Sequence, residues 1–148
     1  MRSSLSLLAL LLAGCGAGAT PPGRCATGAC DRAFGRIVFV EVSSPGGAFR
    51  VLRDGTNQRT SFGNGARDRG VVLSRDELAP LWLAVDEPSF HADLKAQRTS
   101  CQDFSTQRCL TVSVNDQLSS GCWCGPSASS HVETAWQEAL LVFDRAFP

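Results

Sequence analysis

Seven cysteines are the side chains with the widest chemical scope in this sequence of 148 residues. Cys101, Cys109, Cys122 and Cys124 follow one another closely, and His131 comes soon after. Three chemistries are open to such a set. Thiolates and an imidazole are ligand types that suit zinc or copper. A close pair such as Cys122 and Cys124 could exchange electrons with another dithiol. Or the sulfurs could be joined to one another as structural bridges. The spacings match no common zinc module, so neither a metal nor a cofactor is expected. No Gly-X-Ser-X-Gly elbow and no His-Glu-X-X-His helix occurs, so two familiar hydrolytic constellations are missing. Glu77 and Glu133 have capping spacing from Ser74 and Ser130 and read as helix caps. Asp103 reads as a turn former. His91 reads as a solvated loop residue. His131 falls in the first turn of an expected helix, where the dipole opposes positive charge, and reads as a neutral surface histidine. A non-enzymatic protein is the expectation.

The compartment decides between thiol and bridge, and the first residues bear on it. Arg2 precedes an apolar run, Leu5 to Leu12, broken only by Ser6. The run is too short to span a bilayer, which takes about 20 apolar residues, and has the length of a signal-peptide core. It ends in Leu12-Ala13-Gly14-Cys15, which resembles the lipobox of bacterial lipoproteins. That resemblance implies removal of residues 1–14, transfer of diacylglycerol to the Cys15 sulfur, and acylation, typically with palmitate, of the new amino terminus. Several acyl chains would make the anchoring stable. Gly16, rather than Asp, follows the cysteine, which in that class favours the outer membrane over the inner one. The implied partners are the membrane itself, facing the periplasm or the cell surface, and an envelope protein. Residues 15–24 then form a lipidated tether and residues 25–148 a single globular domain. The Gly16–Gly23 stretch, with two prolines, reaches at most about 29 Å, which keeps the domain near the membrane.

With Cys15 assigned to lipid, six cysteines remain: Cys25, Cys30, Cys101, Cys109, Cys122 and Cys124. An even number in an oxidising compartment reads as three disulfides. A two-residue turn at Asn115-Asp116 would put Cys109 opposite Cys122 in a non-hydrogen-bonded pair, where side chains approach closely. A four-residue loop would put it opposite Cys124 instead. Cys101 then takes whichever of the two is left, and Cys25 pairs with Cys30. Loop 102–108 would be stapled at both ends and could serve as bait for an extracytoplasmic protease. Trp123-Cys124-Gly125-Pro126 resembles the first four residues of the thioredoxin active site, but Ser127 stands where its second cysteine would be. A thiol-redox or metal-handling role for Cys122 and Cys124 is the alternative reading.

Charge and pattern bound the rest. Fourteen basic and fourteen acidic residues give formal charge +0. No basic block is present, so nucleic-acid binding driven by phosphate neutralisation is not expected. Strands are expected at 36–42, with Val38, Val40 and Val42 on one face, at 48–52 and at 57–62, with a turn at Asp54-Gly55. Residues 63–70 read as a polar loop. Leu78, Leu81, Trp82 and Val85 share a helical face and predict a helix near 75–87, disturbed by Pro80. Residues 91–107 read as irregular. Strands at 109–114 and 117–124 and a helix at 131–146 complete the pattern. The sum is an α+β fold: an antiparallel sheet of about five strands, two helices on one face, stapled by disulfides. Trp82 and Trp136 read as core. Arg67, Arg69 and Trp123 are the candidate partner contacts, Trp123 reading more readily as core.

Overall fold

The structure is a computed structural model that describes residues 28–97, 101–127 and 129–148. The expected signal segment, Cys15, the tether and Cys25 lie outside the described residues. The fold is α+β. Helix α1 (Ala29–Arg36) leads into strands β1 (Ile37–Ser44), β2 (Gly47–Leu52), β3 (Asn57–Ser61) and β4 (Arg67–Asp68). Helices α2 (Arg75–Val85) and α3 (Phe90–Ala96) follow, then a 3-10 turn (Phe104–Thr106). The hairpin β5 (Gln107–Val114) and β6 (Gln117–Cys124) and helix α4 (Ser130–Ala146) close the order. All pairings are antiparallel, in the order β4-β3-β2-β1-β5-β6.

Among the described residues six strands and four helices thus stand where about five and two were expected. The sixth strand is the two-residue β4, inside the stretch read as a polar loop, where Arg59 pairs with Asp68 and Thr60 with Arg67. The added helices are α1 and α3. Helix α3 is a single apolar pair, Phe90 and Leu94, on seven residues, too short to show a period against its irregular surroundings.

One face of the sheet carries the core. Val40, Val42, Phe49, Val51, Leu110 and Val112 are buried together with Leu78, Leu81, Trp82, Val132 and Trp136 from the helices. The intervening residues, among them Glu41, Arg50 and Thr111, are not buried, so the helices cover one side only. Val38 departs from the expected alternation. The register of β1 shifts between Ile37 and Phe39, so Ile37 enters the core and Val38 is left half-buried. A bulge of this kind moves a side chain to the other face.

Local chemistry sets the helix ends. The Ser74 hydroxyl accepts from the Glu77 amide, while the Glu77 carboxylate accepts from the Ser74 amide at 2.8 Å. This capping box starts α2 as the spacing predicts, and Pro80 is accommodated inside the helix. At α4 the cap is Ser129, one residue earlier than expected, with its hydroxyl accepting from the Val132 amide. Glu133 instead accepts from the Ser127 amide at 2.9 Å, and that bond holds its carboxyl below the usual range. The outer edge of β6 is closed by the end of α3: the Cys122 amide donates to the Gln97 carbonyl at 2.8 Å. Gly121 permits this approach, since a methyl there would run into the Leu94 carbonyl oxygen.

Candidate functional site

Asn115 and Asp116 both have positive φ, 48° and 63°, the signature of a two-residue hairpin turn. That turn sets Cys109 opposite Cys122, and the two are disulfide-bonded with Cα atoms 4.1 Å apart. Cys101 bonds Cys124. Cys30 is also disulfide-bonded, and its expected partner, Cys25, lies outside the described residues. Cys109, Cys122 and Cys124 share the face of the sheet that the helices leave uncovered, because Cys109 lies in register with Ser43 on the opposite side from Leu110.

Cys122 and Cys124 therefore do not form a pair with each other; each is bonded elsewhere in the chain. Nor do Cys101, Cys109, Cys122, Cys124 and His131 assemble into a ligand set, since the four sulfurs are bonded in twos and His131 lies on Asp93. The Trp-Cys-Gly-Pro stretch ends the outer strand β6, with Cys124 in a disulfide.

The two bridges pin both ends of loop 102–108 to one strand. Within it the Asp103 carboxylate accepts from the Ser105 amide at 2.8 Å and the Thr106 hydroxyl donates to the Asp103 carbonyl at 2.9 Å. Hydrogen bonding from Ser105 holds the Asp103 carboxyl below its ordinary pKa, and the two bonds together wind the loop into a turn, as expected of a turn former. Phe104 sits on that turn, 70% exposed. What the loop presents at its turn is the Phe104 side chain.

The candidate contacts do not converge. Trp123 is 2% exposed and packs edge-on against Trp136, ring centroids 5.5 Å apart. Its place on the helix side of β6 makes it core, which corrects the contact reading. Arg67 and Arg69 are exposed but lie at the β4 end of the sheet, the opposite edge from β6.

A feature missed in the sequence is a cleft of about 520 Å³ between α4 and the first three strands. Phe49, Trp136, Leu140 and Phe143 form its apolar part. Arg59 stands at its rim, bonded to Asp68 at 2.8 Å and lying 4.8 Å over the Phe147 ring. The volume is in the range of small-ligand sites, about 300–1,000 Å³. In the sequence these are only apolar positions of a strand and a helix, and the tertiary gap beside α4 is what makes them a lining.

His131 is bonded through Nδ1 to Asp93 at 2.9 Å, and the Ser129 hydroxyl donates to the same carboxylate at 2.8 Å. The hydrogen bond to Asp93 raises the His131 pKa, with Glu87 adding to it, and lowers that of Asp93. The dipole argument for an uncharged His131 leaves out these two carboxylates, both of which favour the charged form. Among the described residues no helix is long and apolar enough to cross a membrane. A scan of family models finds none that matches this chain, and a search of curated proteins also finds no match.

Proposed function

We propose that this chain is a lipid-anchored protein of the bacterial envelope, tethered through Cys15, whose stapled domain binds a protein partner rather than turning over a substrate. The observation that supports the reading best is the loop framed by Cys101–Cys124 and Cys109–Cys122 with Phe104 exposed at its turn. Bridges of this density suit an oxidising compartment. A rigid loop presenting an aromatic side chain loses little entropy on docking, and aromatic anchors carry much of the energy at protein interfaces. The lipobox resemblance at Leu12-Ala13-Gly14-Cys15 supplies the anchor, and Gly16 favours the outer membrane. A photoreactive phenylalanine at position 104, activated in intact cells, is expected to capture one envelope protein reproducibly. Cys15→Ala is expected to move the chain out of the membrane fraction and lose the adduct. Absence of any adduct, or turnover of a substrate by the purified chain, would overturn the reading.

A second reading rests on the cleft beside α4. Its apolar wall and single paired rim charge suit an uncharged, mainly apolar small molecule. Leu140→Arg, at a partly exposed position, would fill it without touching loop 102–108. Loss of ligand binding with the crosslink at position 104 intact would assign recognition to the cleft.

A further inference from the structure

The end of α1, the helix α3 and the β5–β6 turn meet at one corner of the domain. There Arg36, His91, Lys95, Asn115, Gln117 and Ser119 surround a pocket of about 240 Å³. Among the described residues no acidic side chain lines it. The carboxylate whose charge reaches His91 is Asp86, which is almost wholly buried and bonded to both Arg32 and Arg36 at 3.1 Å. Because Arg32 shares Asp86, the Arg36 charge at the pocket is only partly offset, and Lys95 adds its own, while Asp116 is exposed in the turn and does not line the pocket. Asp93 and Glu87, the acidic residues flanking this stretch, are turned to His131.

The corner is held in place from behind. The Asn115 amide donates to the Arg36 carbonyl at 2.9 Å, fastening the hairpin turn to α1. His91 lies edge-on to the buried Phe90 ring, centroids 5.2 Å apart. Its Nδ1 is enclosed and has no hydrogen-bond partner among the described residues. A bare lone pair costs less in that position than an unsatisfied N–H, so the proton belongs on Nε2, the nitrogen left to meet a ligand. Burial first, and then Arg36 and Lys95, hold the His91 pKa below its ordinary value.

We propose that this corner binds a phosphate group, with Arg36 and Lys95 supplying charge and His91, Asn115 and Gln117 supplying hydrogen bonds. The donors arrive from three separate elements. That arrangement suits a tetrahedral oxyanion, whose oxygens point several ways, better than a planar carboxylate. Guanidinium and ammonium groups are the usual partners of phosphate, and charge-assisted bonds are the stronger kind. Two sources share this chemistry: a free phosphate and the headgroup of a phospholipid in the membrane that would hold the chain.

The test follows the His91 ring resonances by NMR in the full chain, purified in a neutral detergent and assigned with His91→Gln. Inorganic phosphate is one arm and dihexanoyl phosphatidylglycerol the other. A saturable shift of His91, with its pKa rising on binding, supports the site. A response to inorganic phosphate identifies a free oxyanion, and a response to the lipid alone identifies the headgroup. Lys95 is exposed, so Lys95→Gln and Lys95→Glu should fold normally. They are expected to weaken binding by about tenfold and by more than that, respectively. No saturable shift in either arm, or an affinity unchanged in Lys95→Glu, would overturn the proposal.

Discussion

Cys109 and Cys122 face each other across β5 and β6 with Cα atoms 4.1 Å apart, joined through sulfur on the side of the sheet that no helix covers. Their position is dictated from a distance, by the tight turn at Asn115 and Asp116. A four-residue loop would have delivered Cys124 instead. The second bridge, Cys101–Cys124, spans the first from outside, with a sequence separation of 23 against 13.

Removing the inner bridge tests what it contributes. A bridge closing a loop of about 15 residues stabilises by roughly 3 kcal/mol on the chain-entropy account. With the outer bridge intact part of that restriction persists. Cys109→Ala/Cys122→Ala is therefore expected to lose about 2 kcal/mol, and a variant lacking both bridges distinctly more. Guanidinium unfolding followed by tryptophan fluorescence measures both. No loss on removing Cys109–Cys122 would show that the inner bridge carries no stability of its own, and equal losses in the two variants would show the same of the outer one.

Two glycines are expected to respond in opposite directions to the same change. At Gly121 an added methyl meets the Leu94 carbonyl, whereas at Gly35, inside α1, it meets nothing. Gly121→Ala should push α3 away from β6 and cost about 1–3 kcal/mol, the usual range for overpacking. Gly35→Ala should stabilise by about 0.5–1 kcal/mol, because alanine restricts the unfolded chain and favours helix. Thermal unfolding of the two variants decides the matter.

The two histidines are expected to titrate on opposite sides of the ordinary imidazole value. His91 is held low by burial and by Arg36 and Lys95. His131 is held high by Asp93. A raised folded-state pKa means that His131 contributes stability fully below its unfolded value and loses it as pH rises through the folded one. Asp93, whose pKa is lowered, contributes above its unfolded value and loses that as pH falls through the folded one. The pair thus supports the α3–α4 contact between the acid range and the His131 titration. NMR titration should show His131 dropping back toward the ordinary value in Asp93→Asn, with His91 unmoved. An unchanged His131 would contradict the pairing.

Short-range chemistry was the legible part of this fold. The Ser74–Glu77 box, the Asn115-Asp116 turn and the stripe on α4 are each written within a few residues, and the bridge register follows from the turn alone. What escaped depends on contacts between distant segments. The bulge that exchanges Val38 for Ile37 arises in the pairing of β1 with β5. Helix α3 is stabilised by docking on β6, and its own few residues carry too little pattern to reveal it. Strand β4 is two residues long and is defined by its pairing with β3, where Asp68 also meets Arg59. The same holds for the sites: the sulfurs were readable through hairpin geometry, whereas the cleft, the Asp93–His131 contact and the basic corner at Arg36 and Lys95 each join residues far apart in sequence.

The account depends on a chain that leaves the reducing cytoplasm and is held by lipid. Non-reducing peptide mapping by mass spectrometry, on protein extracted from the membrane fraction, examines both halves at once. The expected map links Cys101 to Cys124 and Cys109 to Cys122 and begins with an acylated Cys15. Free thiols at these four positions, together with an unmodified Cys15 still preceded by residues 1–14, would contradict it.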